Sequence, residues 1–183
     1  MALAAGSNGN ALIAGSFRGT VDLEPGEPTD ERRSRGAGDL FVMSLDPEGN
    51  RQWIRTAGGV AEERASTIAV SPEDGAILVG GFYSSLIDFD PPSGESVANL
   101  GGAMHLPSTW RDAYIMALEP DGRFRWARSF GDDRGAVRIN DIDIGPNGAI
   151  YATGELSLSV RFDPVMEPIS AISSGLFNLR LNR

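Results

Sequence analysis

Carboxylates in alternating pairs are the residues of this chain whose types and spacing could do chemistry. Asp88 and Asp90 flank Phe89 in the stretch IDFDPP, and Asp22 and Glu24 flank Leu23 in VDLEPG. On an extended segment, residues two apart point to the same side, so each pair would present two carboxylates beside a loop. Such a pair could contribute to a Ca²⁺ site, which takes roughly 6 to 8 oxygen ligands. A third stretch of the same pattern, VRFDPV, has Arg161 in place of the first carboxylate. That substitution favours a solvated or backbone-capping role over a repeated metal site. Asp141 and Asp143 alternate with Ile142 and Ile144, so both acids lie opposite the apolar side. They form a second candidate metal pair, with a solvated strand face as the ordinary alternative. Asp132 and Asp133 precede Arg134 much as Glu62 and Glu63 precede Arg64. Local ion pairs, each worth about 0 to 1 kcal/mol, are the bland account of both clusters; ligand contact by Asp132 and Asp133 is the functional one.

Single residues narrow the chemistry further. His105 is the one histidine and cysteine is absent, which excludes a histidine-rich or thiolate zinc site, disulfides and a cysteine nucleophile. A Ser-His-Asp triad would have to use His105, and no nucleophile-elbow motif is present. Trp53 and Trp126 occupy equivalent places in a repeat and read as packing residues, whereas Trp110 has no counterpart. Trp110 and His105, both in the segment 92–111, therefore remain candidate ligand contacts. Neither a P-loop nor a dinucleotide fingerprint occurs. With 25 acidic against 16 basic residues the net charge is −9, and such a chain repels phosphate backbones, so nucleic acid is not an expected partner. No apolar run approaches the roughly 18 residues of a membrane span, and no membrane insertion is expected. The first ten residues, MALAAGSNGN, lack the basic flank and apolar stretch of a signal peptide; an exported protein would carry that signal upstream or have lost it. A 41% hydrophobic fraction over 183 residues is globular, with one domain as the default.

Repeats organise the elements that must position these residues. Residues 75–92 (GAILVGGFYSSLIDFDPP) match 9–26 (GNALIAGSFRGTVDLEPG) and 148–165 (GAIYATGELSLSVRFDPV) without a gap, at offsets of 66 and 73. A second unit, DLFVMSLDPEGNRQWIRTAG at 39–58, matches DAYIMALEPDGRFRWARSFG at 112–131, again at offset 73. GLFNLRLN at 175–182 matches the start of that unit. Short apolar runs separated by SPEDG, GPNG, DPEGN and EPDGR turns read as antiparallel strands joined by tight hairpins. No segment sustains a helical period. Each repeat is thus four strands in up-and-down order, here A, B, C and D, with the first strand at the N-terminus and long B–C segments at 26–38 and 92–111.

A four-stranded sheet of this size cannot bury both of its faces, so the repeats must stack. Twisted sheets stacked about an axis predict an all-β fold, a β-propeller arc of about three four-stranded blades. Eleven strands are expected, in blades at about 1–57, 65–130 and 138–183, the last incomplete. The residues then carry a resemblance. G-x-x-x-V-x-G-x-F followed by D-F-D-P, then D-A-x-x-x-x-L-x-P-D-G-x-x-x-W, resembles the bacterial seven-bladed β-propeller repeat, best over residues 65–129. The resemblance implies a repeat from a large secreted or cell-surface bacterial protein, usually without an assigned reaction. The spacing of Asp46, Gly49 and Trp53 departs from the sialidase Asp-box, so no sialidase site is carried over.

Propellers close into rings of about 4 to 8 blades because closure removes exposed edges and end faces. The chain is therefore expected to be an excerpt of a longer propeller or to join other arcs by self-association. Up-and-down topology puts the tight turns at one end. The other end gathers 26–38, 92–111, the connections 58–64 and 131–137, and the D-F-D-P segments. Insertions in repeat proteins often make the binding face. The expected function is a non-catalytic scaffold or protein-binding surface in a bacterial surface or secreted protein, through that end. The alternative is an enzyme or metal-dependent ligand-binding propeller with an acidic site there or in the channel, Ca²⁺ being the one cofactor suggested.

Overall fold

The computed structural model describes residues 1–6, 8–24, 29–90, 110–131, 135–157, 159–160, 169–170 and 175–181. Every regular element among them is a strand: β1 (Ala2–Ala5), β2 (Ala11–Phe17), β3 (Thr20–Asp22), β4 (Glu31–Arg33), β5 (Asp39–Leu45), β6 (Arg51–Gly59), β7 (Glu63–Val70), β8 (Ile77–Ser84), β9 (Ile87–Asp88), β10 (Arg111–Leu118), β11 (Phe124–Phe130), β12 (Val137–Ile144), β13 (Ile150–Leu156), β14 (Ser159–Val160), β15 (Ile169–Ser170) and β16 (Gly175–Leu181). They form three main antiparallel sheets. The first runs β1-β2-β5-β6 with β9 added at the β6 edge, the second β7-β8-β10-β11, and the third β12-β13-β16. Two ribbons, β3 with β4 and β14 with β15, stand apart. The fold is all-β and its stacked sheets are of the kind a partial propeller contains.

Local chemistry explains the hairpins. In the DPEGN turn Asp46 Oδ1 accepts the Asn50 backbone N–H at 2.8 Å, and Gly49 takes a φ of 89°. The EPDGR turn repeats the geometry with Gly122 at 85°. A Cβ is strained at such positive φ, so glycine is the natural occupant. The repeat extends to irregularities. The β5–β6 register shifts at Ser44/Leu45 and the β10–β11 register at Ala117/Leu118, while β7 and β12 both bulge near their starts.

Packing follows from side-chain alternation. The apolar run AYIMAL in β10 serves two cores at once. Tyr114, Met116 and Leu118, with Ile77 and Val79 of β8, pack against Leu12, Ala14, Leu40, Val42 and Ala57 of the first sheet. Ala113, Ile115 and Ala117, with Leu78, pack against Ile139, Ile142, Ile150, Ala152 and Phe177 of the third. The second sheet is thus buried on both faces, and each fully buried side chain of this size contributes about 1.5 to 3 kcal/mol. Polar links cross the same junctions. Trp53 of β6 donates its indole N–H to the Pro120 carbonyl at 3.2 Å, and Thr67 of β7 donates its hydroxyl to Asp141 Oδ1 at 2.9 Å.

Three details differ from the sequence reading. The segment expected as one long loop before Asp39 contains β4, which pairs with β3. The connection expected over 58–64 is shorter, because β6 runs to Gly59 and β7 begins at Glu63. The cause of the first extension is β9, which pairs Asp88 with Gly58 and Ile87 with Gly59. A segment of the second repeat thereby covers the edge of the first sheet.

Candidate functional site

Up-and-down pairing sets the ends of β2, β8 and β13 beside the starts of β5, β7, β10 and β12, and there two clefts open at the junctions between sheets. The first, about 380 Å³, is lined by residues at the connection end of both the first and second sheets, Phe17, Phe41, Arg18, Glu62, Glu63 and Arg64 among them. The second, about 220 Å³, lies between the second and third sheets beside Arg111, Ala136, Arg138, Glu155 and Ser157. Arg111 bridges them. Its guanidinium lies 4.7 Å from the centre of the Phe82 ring and 3.5 Å from Glu62 Oε2. Glu62 also holds Arg18 at 2.6 Å and Arg64 at 3.3 Å, so one carboxylate gathers three guanidinium groups and ties the first sheet to the second. The three arginines are more than half exposed, so each pair contributes little by itself.

Behind this rim lie buried carboxylates. Asp39 is 4% exposed and Glu63 fully buried. Asp39 Oδ1 accepts the Arg35 N–H at 3.0 Å, yet burial raises its pKa. Gly58 is required beside it, because a methyl group at Gly58 would run into the Asp39 carboxylate. The pair recurs in the next sheet as Asp112 and Gly131 with the same close approach. Glu63 Oε2 accepts the Gly59 N–H at 3.0 Å, while Oε1 has no hydrogen-bond partner among the described residues. Burial pushes the Glu63 carboxyl up to about 7; the negative charges of Asp39 and Glu62 add to this, and the Gly59 bond opposes it. Glu63 pairs with Tyr83 as Val137 pairs with Leu156. A carboxylate thus occupies a slot that the third sheet fills with a buried valine.

The sequence-selected residues are distributed as follows. Asp88 is 5% exposed, with Oδ1 accepting the Asp90 N–H at 3.0 Å, whereas Asp90 is exposed and pairs with Arg55 at 2.7 Å. The two carboxylates do not share one solvent-facing side, because pairing of β9 with β6 sinks Asp88. Asp22 Oδ1 accepts the N–H groups of Glu24 and Asp30, which shapes the approach to the β3–β4 ribbon. Asp141 meets Thr67, and Asp143 Oδ1 accepts the Ile144 N–H at 2.8 Å. Among the described residues no group of three or more His, Cys, Asp or Glu is placed to hold a metal ion. Trp110 is 43% exposed just before β10. His105, Asp132, Asp133 and Arg161 lie outside the described residues. Glu62 and Arg64 are ion-paired as expected of the cluster, but Glu63 is not: desolvation without a cation sets its state.

Sequence reasoning missed Asp39 and Asp112, and it placed Glu63 among local ion pairs rather than in a buried site. For the first two a signal existed, since the repeated unit opens on Asp and closes on Gly in both copies. For Glu63 there was none, because the bulge that sets its register is not written in the residue types.

Comparison with known proteins finds a WD repeat-containing protein and a regulatory protein among those similar to the chain. No family model matches the chain. An uncharacterised WD repeat-containing protein of Acanthamoeba polyphaga mimivirus is 27% identical over 163 residues, covering 81% of this chain. The regulatory protein FlaEY of Caulobacter vibrioides is 29% identical over 155 residues, covering 84%. The chain spans 12% and 15% of the lengths of these two relatives.

Proposed function

We propose that the chain is a run of adjoining β-propeller blades that serves as a non-catalytic binding surface for a protein partner, through the end bearing residues 26–38, 58–64, 92–111 and 131–137. The observation that carries this reading is the second sheet, buried on both faces by sheets of the same repeat. A stack of that kind is rigid, and its connections are the parts left to vary. The two inter-sheet clefts and the Glu62-centred guanidinium cluster lie at the same end, whereas the opposite end carries only tight turns. The names of the two relatives, a WD repeat-containing protein and a regulatory protein, are in keeping with a scaffold role. The repeat resemblance suggests a setting on or outside a bacterial cell.

The test is to pan a displayed peptide library against the immobilised chain. Enriched peptides should lose binding to Arg18→Glu and Arg111→Glu, and keep it with Glu48→Lys and Asp121→Lys in the opposite turns. Peptides that bind the turn end, or a chain whose binding depends on added Ca²⁺, would sink the reading.

A further inference from the structure

The two outer faces of the stack are chemically unlike. Call the face that each sheet turns toward its predecessor in the chain its upstream face, and the other its downstream face. In the second sheet the upstream face carries Tyr114, Met116 and Leu118, which pack on the first sheet. Seventy-three positions earlier, Phe41, Met43 and Leu45 occupy the same places in β5. There they alternate with Leu40 and Val42, which face the second sheet, and so they point away from it. Around Met43 an apolar row crosses all four strands of the first sheet: Leu3 pairs with Ile13, Ile13 with Met43, and Met43 with Ile54. Ile13, Met43 and Ile54 are partly buried and Leu3 is 71% exposed. No charged residue interrupts the row.

The downstream face of the third sheet reads differently. Its corresponding rows are Asp143, Tyr151 and Arg180, then Thr153 and Asn178. All five are exposed, and the Arg180 guanidinium lies 6.0 Å from the centre of the Tyr151 ring. Laying the row of Leu3, Ile13, Met43 and Ile54 over these side chains would desolvate a carboxylate and a guanidinium against methyl groups, which is costly.

We infer that the upstream face of the first sheet is an open docking surface for one kind of partner, a further sheet of this same repeat presenting a small apolar downstream face like Leu12, Ala14, Val42 and Ala57. This rests on the propeller reading. The argument is continuity with a junction already in the molecule: large side chains of one upstream face lie on small ones of the preceding downstream face, and the first sheet repeats the large half with Phe41 already buried against Phe17 but Met43 and Leu45 only partly covered. By the same chemistry the third sheet of a second copy does not fit, so copies of this chain do not close head to tail into a ring.

The experiment extends the full chain with a copy of residues 63–136 ahead of Met1, the segment that carries the second sheet and its connection to the next. The extended chain is expected to melt in one transition at least about 5 °C above the chain alone, a shift of the order of 1 to 2 kcal/mol for a domain of this size. Met43→Lys is expected to lower the midpoint only slightly in the chain alone and to abolish the gain in the extended one, a coupling read as a double-mutant cycle. A gain untouched by Met43→Lys overturns the inference while the propeller reading stands. An added repeat that melts separately also overturns it, and hydrogen exchange of β8 and β10 in that sample shows whether the stacked-sheet reading falls too. A second arm needs no extension. Binding of an apolar fluorescent dye to the chain alone should drop at least twofold with Met43→Lys and stay unchanged with Thr153→Lys; equal responses overturn the inference.

Discussion

Replacing Glu63 by Gln should stabilise the protein at pH 8 and leave it nearly unchanged below about pH 4. The carboxyl has an ordinary value of 4.5 and is pushed up to about 7 by burial, with the charges of Asp39 and Glu62 adding to the effect. A raised folded-state pKa means that the native protein holds the proton more tightly than the unfolded chain between those two values. Stability from this group is therefore greatest below about pH 4.5, falls as pH rises toward 7, and stays at its lower level above 7. At about 1.36 kcal/mol per pH unit, the interval amounts to roughly 3 kcal/mol of ionisation penalty at pH 8. Gln keeps the shape and an oxygen for the Gly59 N–H but cannot ionise, so it escapes that penalty. Its amide group would occupy the place of Oε1, which has no hydrogen-bond partner among the described residues, much as the protonated acid does. Urea unfolding of both proteins at pH 5, 6, 7 and 8 reads the effect directly. The stability difference should grow with pH to roughly 2 to 3 kcal/mol in favour of Gln at pH 8 and level off there. Asp39, also raised by burial, contributes to the slope of both proteins and largely cancels in the difference. A variant less stable than the parent at pH 8, or a gain independent of pH, would refute the reasoning.

Other perturbations test the frame around the site. Gly58→Ala should cost about 2 to 4 kcal/mol, because the added methyl meets the Asp39 carboxylate at a packed strand pair; thermal unfolding checks it, and an unchanged midpoint would show that the carboxylate can swing away. Trp53→Ala should cost about 2 to 4 kcal/mol through lost contact with the second sheet and with the Pro120 carbonyl. Glu62→Gln should change stability by less than about 1 kcal/mol, and 0.5 M NaCl should reduce even that, since its arginine partners are largely exposed. Thr67→Val should cost about 1 kcal/mol by removing the hydroxyl that joins β7 to Asp141, measured by denaturant unfolding.

The strands and hairpins were legible in the sequence because each is set by neighbours along the chain. DPEGN and EPDGR carry a Pro and a Gly where a tight turn needs them, and AYIMAL is apolar at every residue because β10 is covered on both sides. The short pairings were not legible. β9 is two residues long and its partner is Gly58–Gly59, which belong to the preceding repeat, so neither pattern nor propensity marks it. That pairing also sinks Asp88, and with it the expectation that Asp88 and Asp90 act together toward solvent.

What the sequence determined by itself was periodicity: which residues recur, hence which elements are strands, which turns are tight and which connections can be long. Local sterics and the two-residue alternation of strands suffice for that. Only the tertiary structure decided which carboxylates lose water. Glu62 and Glu63 are adjacent in the chain, yet one lies among three guanidinium groups and the other is fully buried. Desolvation depends on what a neighbouring sheet places over a residue, and that is a property of stacking and register that a linear pattern does not carry.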